Sequence, residues 1–250
     1  MSLSGDTNLK KVIRLVHQKG VVTASYLRHQ GIRYQSMLKY RQANWLASLG
    51  IGAFCESGTT PSLDAAIVAL SEQLGLPVHV GGKSALLRRG IMQHVPVGGH
   101  TVELYLKRGI RMPKWFCNTF VGQFTRNTSF LFPDATGVER DALGVLLSSP
   151  ERAFVEMAAE VPKKAALGEL YQLMEFADTL RPNLVTELLL KCESIKAKRI
   201  FLFLADDLGH WWSKKLDRSR IDLGSGCRVI ESGGAFQPRY NIVVKPWREY

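Results

Sequence analysis

The sequence predicts an α+β protein, with a small helical unit closed by a hairpin ahead of a larger mixed α/β domain. Three observations carry that expectation. Before residue 43, apolar residues recur at helical spacing in three short segments separated by Gly20 and Gly31. Two short apolar runs then flank Gly50-Ile51-Gly52, as in a tight hairpin. Beyond residue 58, runs of strand length are interspersed with longer helical patterns. A chain of 250 residues, 46% hydrophobic and 22% charged, has room and apolar content for two packed units.

In the first unit, Leu9, Val12, Ile13 and Val16 share one helical face, and Gly20 stops that helix. Thr23 suits the N-cap of a short helix over 24–30, with Tyr26 and Leu27 inward and Gly31 at its end. A third helix is expected over 34–42, only a few residues later. Two short helices joined by a tight glycine-containing turn make a helix-turn-helix, and the hairpin from Trp45 makes it a winged one. On the third helix, Met37 and Leu38 must face the core. Tyr34 and Arg41 are expected on their side, with Arg41 reaching outward along its apolar stem. Gln35, Ser36, Lys39 and Tyr40 are expected on the opposite face, with Arg33 just before it.

After a linker at 59–62, a helix is expected over 63–74 and a strand over 78–80. Gly81-Gly82-Lys83-Ser84 is similar to the end of a phosphate-binding loop, but the earlier glycine of that loop is missing from Leu76-Pro77-Val78-His79-Val80. A tight turn opening a helix through Arg89 is expected instead. Residues 97–106, 115–124 and 129–133 read as strands of a small sheet. Helices are expected from Ser148-Ser149-Pro150 and over 167–180 and 185–192. A buried strand over 200–204 should follow the basic run Lys196, Lys198 and Arg199, and closing strands lie near 228–231 and 240–244. The organisation read from this is 1–57 as the winged unit, 58–137 as a connecting helix-and-sheet segment packed with the core, and 138–250 as a C-terminal α/β domain.

Charge is unevenly placed. The net formal charge is +11; residues 1–57 hold eight Lys/Arg against two Asp/Glu, residues 58–137 net +4, and residues 138–250 about +1. A compact basic module is the footprint of phosphate binding. On the third helix, Gln35 can pair with adenine and Lys39 or Arg33 with guanine, while Ser36, Tyr34, Tyr40 and Arg41 suit phosphate oxygens or positioning. Double-stranded DNA is therefore the expected partner.

Catalytic chemistry finds less support. Asp206 and Asp207, with a lysine such as Lys245, could hold Mg²⁺ in a nuclease, which is the alternative reading; carboxylates so placed are commonly helix caps. His210-Trp211-Trp212 could stack on bases or sit in the core. The six histidines show no metal-ligand spacing and the four cysteines form no C-x-x-C pair. No catalytic residue, metal or cofactor is expected. With no long apolar run and no readable secretory signal, a cytoplasmic protein with no membrane partner is expected.

Several strings, in order, resemble one known family. They are NWLASLGIGAF from Asn44, AAIVAL from Ala65, LPVHVGGKSALLRRG from Leu76 and MPKWF from Met112. They continue with SSPERAFVEM from Ser148, KCESIKAKRIFLFLA from Lys191, LGSGCRVIESGGAF from Leu223 and RYNIVVKPW from Arg239. The chain resembles the AbiEi family of transcriptional-regulator antitoxins of type IV toxin–antitoxin, or abortive-infection, systems. The resemblance implies an N-terminal winged helix that represses its own operon at inverted repeats. It also implies a C-terminal antitoxin domain opposing a nucleotidyltransferase-like toxin, by contact or by an indirect route, without being an enzyme. One departure concerns the wing: family wings often carry a basic residue between the two glycines, where this chain has Ile51. An antitoxin surface is expected at Lys196, Lys198 and Arg199, with the two lysines sharing one face of an extended segment beside a sheet edge. Edge lysines that merely keep a strand soluble are the plainer alternative. A stand-alone interaction module remains a third reading.

Overall fold

The computed structural model describes residues 3–91, 101–128 and 131–245. The N-terminal unit runs α1 (Leu3–Lys19), β1 (Val21–Thr23), α2 (Ala24–His29), α3 (Tyr34–Gln42), β2 (Leu46–Gly50) and β3 (Ala53–Glu56). The strands form a three-stranded antiparallel sheet in the order β1-β3-β2. Thr23 caps α2 as expected, its hydroxyl accepting from Tyr26 N at 3.2 Å. Strand β1 escaped the sequence reading, because three residues are too few to show a period.

Both faces of this small sheet are covered, and alternation sorts the residues. Val22, Leu46 and Phe54 turn to the helices, joining Val12, Leu15, Val16, Leu27, Ile32 and Met37 in a separate core. Val21 and Ala53 turn the other way, into the core of the larger unit. The free edge of β1 is closed by one carboxamide: Gln73 Oε1 accepts from Thr23 N at 2.7 Å and Gln73 Nε2 donates to Val21 O at 2.8 Å. Gln73 thus behaves as a neighbouring strand would, satisfying an edge that would otherwise be open to pairing.

The larger unit contains α4 (Leu63–Val68), continued by a π-helical turn Ala69–Gln73, then β4 (Val78–Val80) and α5 (Gly82–Arg88). It goes on with β5 (Val102–Leu106), α6 (Lys114–Thr119), β6 (Phe124–Asn127), β7 (Val138–Arg140) and β8 (Leu146–Ser148). These strands make one mixed sheet in the order β6-β5-β4-β8-β7. It draws strands from both sides of residue 137, so the connecting segment and the C-terminal segment share a sheet and a core. The expected strand over 115–124 is corrected: α6 and a turn occupy most of it, and β6 begins only at Phe124. Pro113 and Gly122 bracket that helix, and the aromatic residues between them mimicked a strand. Residues 97–100 and 129–130 of the other expected strands lie outside the described residues; Leu131 and Phe132 are buried but in no strand.

Helices α7 (Pro150–Glu160), α8 (Leu167–Met174), α9 (Pro182–Lys191) and α10 (Ile195–Asp207) follow. After a short 3-10 turn (Trp211–Lys215) come β9 (Arg228–Val229), β10 (Ala235–Gln237) and β11 (Ile242–Val244), a second small sheet in the order β10-β11-β9. The expected strand over 200–204 is also corrected, because those residues lie in α10. An apolar run surrounded on all sides has no period with which to separate helix from strand. Ser194 settles it locally, its hydroxyl accepting from Ala197 N at 3.2 Å as an N-cap.

Helix α7 is buried nearly all round, yet it carries charge. Glu156 is the acceptor that ties it to the sheet. His79 Nε2 of β4 lies 2.9 Å away, Gly82 N donates at 2.9 Å, Ser148 Oγ of β8 at 2.8 Å and Arg152 Nε at 2.8 Å. Burial alone would push this carboxyl up, but the His79 and Arg152 charges and hydrogen bonds outweigh it and hold it down at about 2.

Candidate nucleic-acid interface

Helix α3 is held from beneath and free above. Met37 is fully buried, and Ile32, from the turn before the helix, fills the core beside it. Outward, Arg33, Gln35, Lys39, Arg41 and Gln42 are exposed. Gln35, Lys39 and Gln42 fall at four- and three-residue steps, so they form one stripe along the helix. Three expectations on this helix need correction. Tyr34 is 55% exposed, not core-facing, while Ile32, from the turn before the helix, is buried in the core. Tyr40 is half-buried against the core, three residues on from Met37, and burial raises its hydroxyl pKa, partly offset by a hydrogen bond with Ser36. Ser36 is half-buried as well. The face that a duplex could meet is therefore Arg33, Tyr34, Gln35, Lys39, Arg41 and Gln42, of which Gln42 escaped the sequence reading as the last residue of the helix.

The state of the cations matters more than their number. Among the described residues of the larger unit, ten basic side chains are paired with acidic partners, among them Arg88 with Asp64, Arg89 with Glu139, Arg140 with Glu72, Arg181 with Glu139 and Glu151, and Lys191 with Asp134 and Glu187. Around α3 the opposite holds. Among the described residues, the side chains of Arg28, Arg33, Lys39 and Arg41 make no ion pair or hydrogen bond. Exposed cations without an internal partner are the ones whose counterions a phosphate backbone can displace.

The hairpin of β2 and β3 stands beside this helix, and its tip residue Ile51 is 97% exposed. Its flank is not free. A Cβ on Gly50 would stand 2.9 Å from Trp115 Cβ of α6, so glycine is what lets hairpin and helix approach this closely. Thr119 Oγ1 donates to Leu49 O at 3.5 Å in the same contact.

The other expected sites are occupied by the protein itself. At Gly81-Gly82-Lys83-Ser84 the backbone N–H groups that a phosphate cradle would use meet carboxylates: Gly82 N donates to Glu156 and Ser84 N to Glu103 Oε2 at 3.3 Å. Lys83 pairs with Glu169. Asp206 is gripped by both terminal nitrogens of Arg218 and also takes Ser213, Tyr240 and Arg239. Burial would raise its pKa, but the bonds from Arg218, Ser213 and Tyr240 lower it to about 2. Its oxygens hold the 3-10 turn to the C-terminal strands. Trp212 is wholly buried, its Nε1 donating to Ala177 O at 2.7 Å with His210 stacked on its ring; Trp211 alone is exposed.

The expected surface of Lys196, Lys198 and Arg199 is corrected in its geometry. All three lie in α10, not on a strand edge. Lys198 is 5% and Arg199 0% exposed. Arg199 donates to the carbonyls of Leu223, Gly226 and Asn241 at 2.7, 2.7 and 3.0 Å; Lys198 donates to Asp222 O at 3.2 Å and Lys196 to Val161 O. Lys198 and Arg199 thus clamp the loop 222–226 onto the helix, while Lys196 ties that helix to the end of α7.

Comparison with known proteins agrees with this architecture. In fold, the chain is similar to the crystal structure of the RV2827C protein from Mycobacterium tuberculosis, at a TM-score of 0.62 and 16% identity, over 95% of this chain and 91% of that one. No curated protein matches the sequence. Among the described residues, no helix is long and apolar enough to cross a membrane. Residues 6–97 match the family described as transcriptional regulator, AbiEi antitoxin N-terminal domain, and residues 99–245 match transcriptional regulator, AbiEi antitoxin, type IV toxin–antitoxin system. With both halves of the chain matched in order, this protein belongs to the AbiEi family of antitoxin transcriptional regulators of type IV toxin–antitoxin systems.

Proposed function

We propose that the chain represses its own operon by placing α3 in the major groove of operator DNA, at inverted repeats. The larger unit then serves as antitoxin against a cognate nucleotidyltransferase-like toxin, without catalytic chemistry of its own. The observation that carries the DNA reading is the cluster of exposed cations around α3, Arg28, Arg33, Lys39 and Arg41, none of which makes an ion pair or side-chain hydrogen bond among the described residues. Gln35 and Lys39, on one stripe, are the base readers; Arg33 and Arg41 set the register on the backbone. The saturated Asp206 supports the non-enzymatic role over the Mg²⁺-nuclease alternative, since its oxygens already hold two guanidinium groups.

The test is binding of the full chain to DNA upstream of its own gene. Gln35→Ala or Lys39→Ala should cost about 1–3 kcal/mol and relax preference at one base position, whereas Arg33→Ala should weaken all sequences alike. Operator preference left intact in both Gln35→Ala and Lys39→Ala would mean that α3 is not the reading element. For the antitoxin half, rescue of growth on co-expression with the toxin should survive the Gln35 and Lys39 substitutions while repression fails.

A further inference from the structure

A winged helix normally adds phosphate contacts through its hairpin, and this hairpin has nothing to add them with. From Trp45 to Glu56 there is no lysine or arginine, and the tip is the exposed Ile51. The chain next to the hairpin is the reverse. Between Glu103 and Asp134 there is no acidic residue, and Arg108, Arg111 and Lys114 fall within seven positions. All three are exposed, and among the described residues none makes an ion pair or side-chain hydrogen bond.

Their position is fixed. Met112 is buried in the larger core and Ile110 packs against it, so the loop is pinned between its arginines. Lys114 opens α6, and the next residue, Trp115, is the one that meets Gly50 at the hairpin tip. Strand β2 starts just after α3 and ends at that contact. At about 3.3 Å per residue, its five residues span on the order of 15 Å, from near the end of α3 to the contact beside Lys114. That is about four to five base pairs of duplex at 3.4 Å each.

We infer that the phosphate contacts missing from the hairpin come from the larger domain. Lys114, beside the residue that meets the hairpin, and Arg108 and Arg111, on the loop leading to it, grip the backbone of the operator duplex next to the bases that α3 reads. The DNA-binding surface then crosses the boundary between the two family segments, and the docking of Gly50 on Trp115 sets its register. This rests on the reading that α3 enters the groove.

The experiment uses the full chain, a 40-base-pair duplex from upstream of its gene and a scrambled duplex of the same length. Affinity is measured by fluorescence anisotropy between 50 and 200 mM salt. At about −0.9 per phosphate contact, Arg108→Ala/Arg111→Ala/Lys114→Ala should reduce the slope of log affinity against log salt by about 2.7. The parent chain then loses about 40-fold more affinity than the variant over that range. The preference for promoter over scrambled duplex should be unchanged, and Arg108→Lys/Arg111→Lys should keep the parent slope. Glutamine at all three positions gives a second neutral variant, with thermal melting showing that each is folded. A triple variant with the parent's slope and affinity would overturn the inference while leaving α3 in place. A parent chain that binds neither duplex would overturn the α3 reading and this inference together.

Discussion

Replacing Glu156 by Gln keeps the shape of the side chain and tests what ties α7 to the sheet. Four donors converge on this carboxylate, from β4, the start of α5, β8 and α7 itself. A glutamine offers one oxygen where there were two. Ser148 and His79 can reverse their bonds and accept from the new amide, but Gly82 N–H and Arg152 Nε–H cannot. Whichever way the amide turns, at least one buried donor is left without an acceptor. Arg152, 6% exposed, also loses the charge that compensates its own. Breaking a buried pair at one partner costs about 3–5 kcal/mol, which for a chain of this size lowers Tm by roughly 10 °C. Denaturant melts followed by circular dichroism give the free energy, and Arg152→Met with the double variant completes a cycle. A coupling between Glu156 and Arg152 of about 1–3 kcal/mol is expected. A Glu156→Gln protein within about 1 kcal/mol of the parent would refute the argument, since it would mean that neither the charge nor the fourth acceptor site matters.

Two further outcomes follow from the C-terminal clamps. Asp206 is depressed to about 2, so its share of stability is fully present above its ordinary value near 4 and is lost as pH falls towards 2. That share is about 2 kcal/mol, and denaturant melts from pH 2 to 5 should show a shallower pH dependence for Asp206→Asn than for the parent; parallel curves would contradict it. Arg199→Met should orphan the carbonyls of Leu223, Gly226 and Asn241 and open 222–228 to limited proteolysis, with operator affinity through α3 retained. An unchanged digestion pattern would show that the loop is held by something else.

The sequence by itself determined the N-terminal unit and the family. Gly20 ends its first helix, Thr23 caps its second, and the hairpin is written in Gly50-Ile51-Gly52, so local rules placed its helices and hairpin, though not the three-residue β1. The stripe of Gln35 and Lys39 was legible for the same reason, because Met37 must go inward and helical geometry then fixes the opposite side. Tertiary structure decided the rest. Ile200 to Leu204 carry no period, so their apolar pattern alone could not separate helix from strand. Tyr34 is exposed, and Ile32, from a turn the helical wheel does not include, is in the core instead. Lys198 and Arg199 look like solvent charges in the sequence. Their partners are backbone carbonyls some 24 to 42 positions away, and backbone acceptors leave no trace in residue type. The hairpin's contact with α6 is likewise invisible in sequence, because Gly50 and Trp115 are brought together only when both faces of the small sheet are buried.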